Sequence, residues 1–145
     1  MVHVGNSRID GQGLFAAQYI TKGTRIIAYI GEKITRRESA RRLEAGNAYI
    51  FHLNYRYALD GETLANTARY INHSCDPNCA VEKTHGTLWI VAVRDITAGE
   101  ELSYNYGYES KHYQDNPCNC GAEHCCGYIL DRQYWGRINQ QSSRV

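Results

Sequence analysis

Three cysteines within eight residues, Cys118-Asn119-Cys120-Gly121-Ala122-Glu123-His124-Cys125, constrain this chain more than any other feature. The spacing is C-x-C-x4-C, with a glycine where the backbone must bend around an ion. Three thiolates leave a tetrahedral zinc one ligand short, so a fourth must come from another part of the chain. All six cysteines fall in the second half, and the upstream pair Cys75 and Cys79 is the natural supply. His124 and Cys126 are local rivals, although chain neighbours rarely both reach one tetrahedral ion. Four protein ligands leave no open position, so the ion would be structural and would tie the C-terminal segment to the middle of the chain. Disulfide pairing is the competing use of these thiols. It suits short secreted chains, whereas Met1-Val2-His3-Val4-Gly5-Asn6 has no basic region leading into an apolar core, and 145 residues bury a core without staples.

The stretch that receives this segment is Arg69-Tyr70-Ile71-Asn72-His73-Ser74-Cys75-Asp76-Pro77-Asn78-Cys79. An amide, an imidazole and two thiols lie between an apolar lead-in and a proline brake. Asp76-Pro77-Asn78 predicts a turn in which the Asx side chains bond their own backbone. Buried donors in so polar a run each need a partner. Nearer the N-terminus, Gly11-Gln12-Gly13 precedes a strand-like Leu14-Phe15-Ala16. Glycines there permit a positive φ and let another molecule approach the backbone. With no third glycine and no following helix, the pattern is not a dinucleotide fingerprint.

Many short strands, one helix and no repeat predict a mostly-β fold. Arg25 to Ile34 reads as a strand interrupted at Gly31, where a bulge or close contact is expected. Thr35-Arg36-Arg37-Glu38 is a capping box opening a helix that runs to Glu44 and stops at Gly46, with Glu38 and Arg42 paired on its exposed face. Tyr49–Leu53 and Tyr55–Leu59 read as short strands, Asn66–Ile71 as a helical turn, and Leu88–Val93 as a buried strand. Thr97-Ala98-Gly99-Glu100 turns the chain into Leu102-Ser103-Tyr104-Asn105-Tyr106-Gly107-Tyr108. Gln140 to Val145 is expected to fray. A net charge of +1 gives no global field for nucleic acid, and no stretch reaches the roughly 20 apolar residues of a spanning helix. The expectation is a soluble intracellular protein, cytoplasmic or nuclear, with no direct nucleic-acid or membrane binding; a bacterial source would also allow an effector delivered into a host. Twelve tyrosines against two phenylalanines supply hydroxyls that must find partners wherever they are buried.

Gly11-Gln12-Gly13, Arg69 through Cys75, Gly99-Glu100-Glu101-Leu102-Ser103-Tyr104-Asn105-Tyr106 and the C-x-C-x4-C segment follow one another in an order that resembles a SET-domain protein lysine methyltransferase with a post-SET zinc segment. The resemblance covers about Val4 to Ile129, with no pre-SET cysteine cluster, as in a minimal stand-alone member. It implies a β-clip-like fold of several small sheets with a knot-like C-terminal crossing, divided into a SET domain at 1–109, a post-SET segment at 110–130 and a tail at 131–145. It implies S-adenosylmethionine as methyl donor, received by the backbone around Gly11, Gln12 and Gly13 and by Asn72 and His73. Arg69 would brace that segment and Tyr128 would cover the adenine. It resolves the metal set as one zinc on Cys75, Cys118, Cys120 and Cys125, which leaves Cys79 out. Tyr106 corresponds to the tyrosine at the methyl-transfer centre, and Tyr49 and Tyr104 correspond to walls of the lysine channel. Cys126 stands where the family carries a basic or small polar residue.

The implied chemistry is coherent on its own terms. Methyl transfer from a sulfonium to an amine is an in-line displacement that needs a neutral amine held about 3 Å from the methyl carbon in a water-poor channel. Tyrosines give that channel apolar walls and orienting hydroxyls. Desolvation and the sulfonium charge depress the lysine pKa, so no dedicated base is required. The partner is a protein bearing a target lysine, a histone tail among the candidates. A tyrosine at position 104 implies mainly monomethyl product. The second reading is a zinc-stabilised interaction domain of the same fold without turnover.

Overall fold

Short strands grouped in small sheets carry this structure, a computed structural model that describes residues 1–111, 113–136 and 138. The expected frayed segment Gln140–Val145 lies outside the described residues. The chain divides into two units, and the mostly-β class read from the sequence holds in both.

The first unit comprises Met1–Thr24, Tyr70–Ala80 and Val91–Val145. Strands β1 (Val2–Asn6) and β2 (Gln12–Ala16) form an antiparallel hairpin pairing Val4 with Leu14. β2 sends Leu14 and Ala16 fully inside, and its other edge takes N–H groups from Leu102 and Gly99, each at 2.8 Å. Ile20 and Ile96 bridge with paired 2.8 Å bonds. Leu14, Ile20, Ile71, Ile96, Leu102 and Leu130 are buried here. The sequence reading had no strand at Val2–Asn6, because β1 is mostly exposed and its apolar alternation stops after Val2-His3-Val4.

The second unit comprises Arg25–Arg69 and Val81–Ile90. It holds a sheet ordered β4-β6-β5 and most of another ordered β3-β9-β8: β3 is Arg25–Tyr29, β4 Glu32–Thr35, β5 Ile50–His52, β6 Tyr57–Asp60, β8 Cys79–Thr84 and β9 Thr87–Ala92. The break at Gly31 is a close approach: a Cβ there would collide with the Asp60 carbonyl. Helix α1 (Arg36–Glu44) begins as its capping box predicts, Thr35 Oγ1 accepting the Glu38 N–H at 3.1 Å. Arg42 joins Glu38 and Asp60 at 2.9 and 2.6 Å. Burial opposes the Asp60 carboxylate, but hydrogen bonds from Asn47, Arg42 and the Glu62 N–H outweigh it and lower its pKa. Leu88–Val93 was expected to be buried throughout; in β9 burial alternates instead, with Leu88, Ile90 and Ala92 inside. No helix among the described residues is long and apolar enough to cross a membrane.

Candidate functional site

Two residues of parallel pairing build the site in the first unit. β7 (Asn72–His73) lies beside β10 (Ser103–Tyr104), with Asn72 opposite Ser103 and His73 opposite Tyr104. The Ser74 N–H extends the ladder to the Tyr104 carbonyl at 3.2 Å. So short a ladder needs bracing, and Asn78 supplies it. Its side chain, fully enclosed, donates to the Glu101 carbonyl and accepts from the Ser103 N–H, both at 2.9 Å. The Asx turn expected at Asn78 is therefore replaced by a brace to a distant strand. Ser74 Oγ, by contrast, accepts the Asp76 N–H locally at 3.1 Å.

His73 is buried and joins two chemistries. Burial draws its pKa down to about 4, so the ring is neutral near pH 7. Nδ1 accepts the Tyr106 N–H at 3.0 Å, which leaves the ring proton on Nε2, 3.6 Å from Cys75 Sγ. The Tyr106 ring stands edge-on to His73 at 5.4 Å and tilted against Tyr104 and Tyr108 at 5.0 and 5.7 Å. Its hydroxyl donates to the Ile71 carbonyl at 2.6 Å. The phenolic proton is thereby engaged.

A cavity of about 240 Å³ opens beside these groups, lined by Ile9, Asp10, Asn72, His73, Tyr106 and, from the C-terminal segment, Pro117, Cys118, Asn119 and Ile129. Apolar side chains share the wall with two amides, a carboxylate and an imidazole, the mixed lining of a small-molecule site. Asn72, His73 and Tyr106 were expected there; Ile9, Asp10, Pro117, Asn119 and Ile129 were not. Gly11, Gln12 and Gly13 act behind the wall. Gly11 takes φ +43 with open space around it, and the Gln12 carbonyl accepts from Asn72 Nδ2 at 3.1 Å. Tyr128 packs edge-on against Tyr113 at 5.0 Å. Tyr49 and Arg69 belong to the second unit, where the guanidinium lies 4.4 Å over the Tyr49 ring and Tyr29 Oη donates to the Tyr49 carbonyl at 3.0 Å.

The sulfurs of Cys75, Cys118, Cys120 and Cys125 all lie within 4.8 Å of one another. Cys75 Sγ is 3.9 Å from Cys118 Sγ and 3.6 Å from Cys125 Sγ. A tetrahedral ion with metal–sulfur bonds of about 2.3 Å requires edges of about 3.8 Å, so the donor set fits one. A small hairpin presents three of the ligands: the Cys118 N–H bonds the Gly127 carbonyl at 2.9 Å, and the Ile129 N–H bonds the Asn116 carbonyl at 2.8 Å. Gly121, at φ +74, turns the chain between Cys120 and Cys125. Burial pushes Cys75 up and Cys118 up to about 12, whereas at Cys120 backbone N–H donors from Cys75 and Ala122 overcome burial and bring it down to about 7. Cys126 Sγ approaches Cys75 Sγ at 3.8 Å but donates to the Tyr128 carbonyl at 3.1 Å. Cys79 lies outside the set, buried and pushed up to about 11 by desolvation.

A model of the SET domain matches residues 11–107. Over 134 residues the chain is 38% identical to human Histone-lysine N-methyltransferase 2D, an alignment covering 86% of this chain and 2% of that protein. Against the Histone-lysine N-methyltransferase, H3 lysine-4 specific, of Schizosaccharomyces pombe it is 40% identical over 138 residues, covering 88% and 15% respectively. The corresponding Saccharomyces cerevisiae protein is 36% identical over 140 residues, covering 88% and 13%. The chain thus spans no more than 15% of the length of these relatives.

Proposed function

The chain belongs to the SET-domain family, and from that membership we propose that it methylates the side-chain amine of lysine in a protein substrate, with S-adenosylmethionine as donor and one structural zinc. Residues 1–109 form the catalytic domain in this reading and 110–130 the zinc segment. The observation that carries it is the seating of Tyr106. One residue lines the cavity, rests its N–H on His73 and commits its phenolic proton to Ile71, next to the segment that supplies Cys75.

S-adenosylmethionine, when bound, supplies an electrophilic methyl group on a sulfonium. Asn72, His73 and Asp10 would hold its polar end, and Ile9, Pro117 and Ile129 its apolar parts. Tyr106, on the cavity wall, orients the nitrogen of the incoming amine; it acts by positioning and electrostatics and does not need to take a proton. Desolvation of the lysine lowers its pKa, and the proton leaves to solvent before attack. Tyr49 is assigned to the lysine channel, its ring held by Arg69. Cys75, Cys118, Cys120 and Cys125 would hold the zinc, whose role is to fix Pro117, Cys118, Asn119 and Ile129 against the cavity. The relatives' names make a histone H3 tail the first substrate to try.

Labelled methyl transfer from S-adenosylmethionine to histone H3 peptides and to a lysate tests the proposal. Wild-type protein should label lysine. Tyr106→Phe should lose about two orders of magnitude in turnover while remaining folded and zinc-loaded. A folded, zinc-loaded wild-type protein that labels nothing would support the second reading, an interaction domain without turnover.

A further inference from the structure

Glu101 is half-buried at the entrance to β10, and its carboxylate gathers three separate parts of the first unit. Oε1 accepts the Ser7 hydroxyl at 2.6 Å and Asn72 Nδ2 at 3.0 Å. Ser7 Oγ in turn receives the Ile9 N–H at 2.9 Å and the Asp10 N–H at 3.3 Å, while the Ser7 N–H closes the loop onto the Gly11 carbonyl at 2.9 Å. Asn72 Nδ2 also reaches the Asp10 and Gln12 carbonyls, at 3.0 and 3.1 Å. The carbonyl of Glu101 is held independently by Asn78 at 2.9 Å.

The carboxylate is thus the fixed end of a relay that runs Asn78, Glu101, Ser7, Ile9 and Asp10, the last two being cavity wall. Gly13 makes room for it, since a Cβ at that position would collide with Glu101 Oε1. The second glycine of Gly11-Gln12-Gly13 therefore accommodates the protein's own carboxylate, where the sequence suggested an approaching ligand. A hydroxyl and an amide both donate to this oxygen, so an acceptor-only side chain is what the position requires, and its charge strengthens both bonds.

We propose that Glu101 is the positioning residue that holds the 7–13 loop in its cofactor-receiving shape; this rests on the methyltransferase reading above. It touches neither cofactor nor substrate and acts through Ser7 and Asn72. Glu101→Ala leaves the Ser7 hydroxyl without its acceptor and removes the carboxylate from Asn72 Nδ2, which keeps Ser7 Oγ and the Asp10 and Gln12 carbonyls, so the hold on Ile9 and Asp10 through Ser7 loosens. Losing two charge-assisted bonds predicts cofactor affinity weakened by roughly 30-fold, with turnover at saturating cofactor within about threefold of wild type. Glu101→Gln keeps an oxygen in place without the charge and should recover most of the affinity.

The experiment measures S-adenosylhomocysteine affinity by calorimetry, the KM for S-adenosylmethionine against kcat, and amide hydrogen exchange at Ile9 and Asp10, for wild type, Glu101→Ala, Glu101→Gln, Ser7→Ala and the Ser7→Ala/Glu101→Ala double variant. The expected result is faster exchange at Ile9 and Asp10 in Glu101→Ala, weaker affinity with partial rescue by Gln, and a double variant no worse than the poorer single one. Zinc content and melting temperature identify any variant that has not folded, and Glu101→Gln, the milder change, then carries the test through its exchange and affinity. Wild-type affinity and wild-type exchange in folded variants would overturn the proposal, as would an equal fall of kcat and kcat/KM. A wild-type protein that binds no S-adenosylhomocysteine removes the methyltransferase reading and this proposal together. Binding by wild type with no effect in the variants removes only this one.

Discussion

Replacing Asn78 with alanine should be among the most damaging single changes in the first unit. The side chain is 2% exposed, donating to the Glu101 carbonyl and accepting from the Ser103 N–H, both at 2.9 Å. Asn78→Ala leaves both backbone groups without partners where water has little access. An orphaned buried group costs about 1–3 kcal/mol, so the pair amounts to roughly 2–6 kcal/mol. For a chain of this length each kcal/mol moves the midpoint by about 3–4 °C, giving a fall of roughly 6–24 °C. Calorimetry at fixed excess zinc measures it.

Asn78→Asp sharpens the test. An aspartate still accepts from Ser103, but only its protonated form can donate to the Glu101 carbonyl. Burial beside that carbonyl raises its folded pKa above the unfolded value of about 3.9. The folded state then binds more protons, so the stabilisation from the protonated form is complete below about pH 3.9 and disappears as pH rises through the folded pKa. Measured relative to Asn78→Ala, the aspartate variant should lose stability as pH rises above about 3.9. A midpoint for Asn78→Ala within about 2 °C of wild type, or an aspartate variant that gains stability with pH relative to alanine, would refute the reasoning.

The metal and the product each give a further test. Purified protein should contain one equivalent of zinc, lost in Cys75→Ser and kept in Cys79→Ser, as elemental analysis would show; a zinc-free protein with full methyl transfer would contradict the assignment. Tyr104, buried and 5.0 Å from the Tyr106 ring, should restrict wild type mainly to monomethyl-lysine, and Tyr104→Phe should shift a single-lysine peptide toward di- and trimethyl product by mass spectrometry. A penalty of about 1.4 kcal/mol on the second transfer already separates the products tenfold. Trimethyl-lysine as the main wild-type product would end that account.

What the sequence made legible was chemistry with rigid local rules. The N-cap at Thr35 and the interruption at Gly31 are realised in the structure, because each depends on few atoms with narrow geometry, although the Glu38 carboxylate of the expected capping box goes to Arg41 and Arg42; the choice of Cys75 over Cys79 came from the family resemblance. Less legible was whatever depends on distant partners. Asn78 reads as a turn residue beside proline, and nothing local shows that its amide is 23 residues from its carbonyl partner. Glu101 reads as one of two exposed acids after a glycine, yet it bonds Ser7 across 94 residues. β8 escaped notice because Cys79–Thr84 is mostly exposed and carries two charged residues, although Gly86 at φ +80 and His85 at φ +50 give the tight turn into β9. The cavity wall at Ile9, Pro117 and Ile129 likewise has no motif: apolar residues of this kind are common anywhere, and only the fold brings them together.

Cys75 and Cys118, 43 residues apart, are neighbours in the metal set, so an ion held there would be a removable cross-link. A permanent bond closing a loop of that length would take about 4 kcal/mol of entropy from the unfolded chain. An exchangeable ion acts instead by mass action. Each tenfold change in free zinc above its dissociation constant alters the unfolding free energy by about 1.4 kcal/mol. With zinc as that ion, the melting temperature would follow the metal buffer, moving by roughly 4–6 °C per decade of free zinc. Variants compared in different buffers would differ by that amount with no change in sequence.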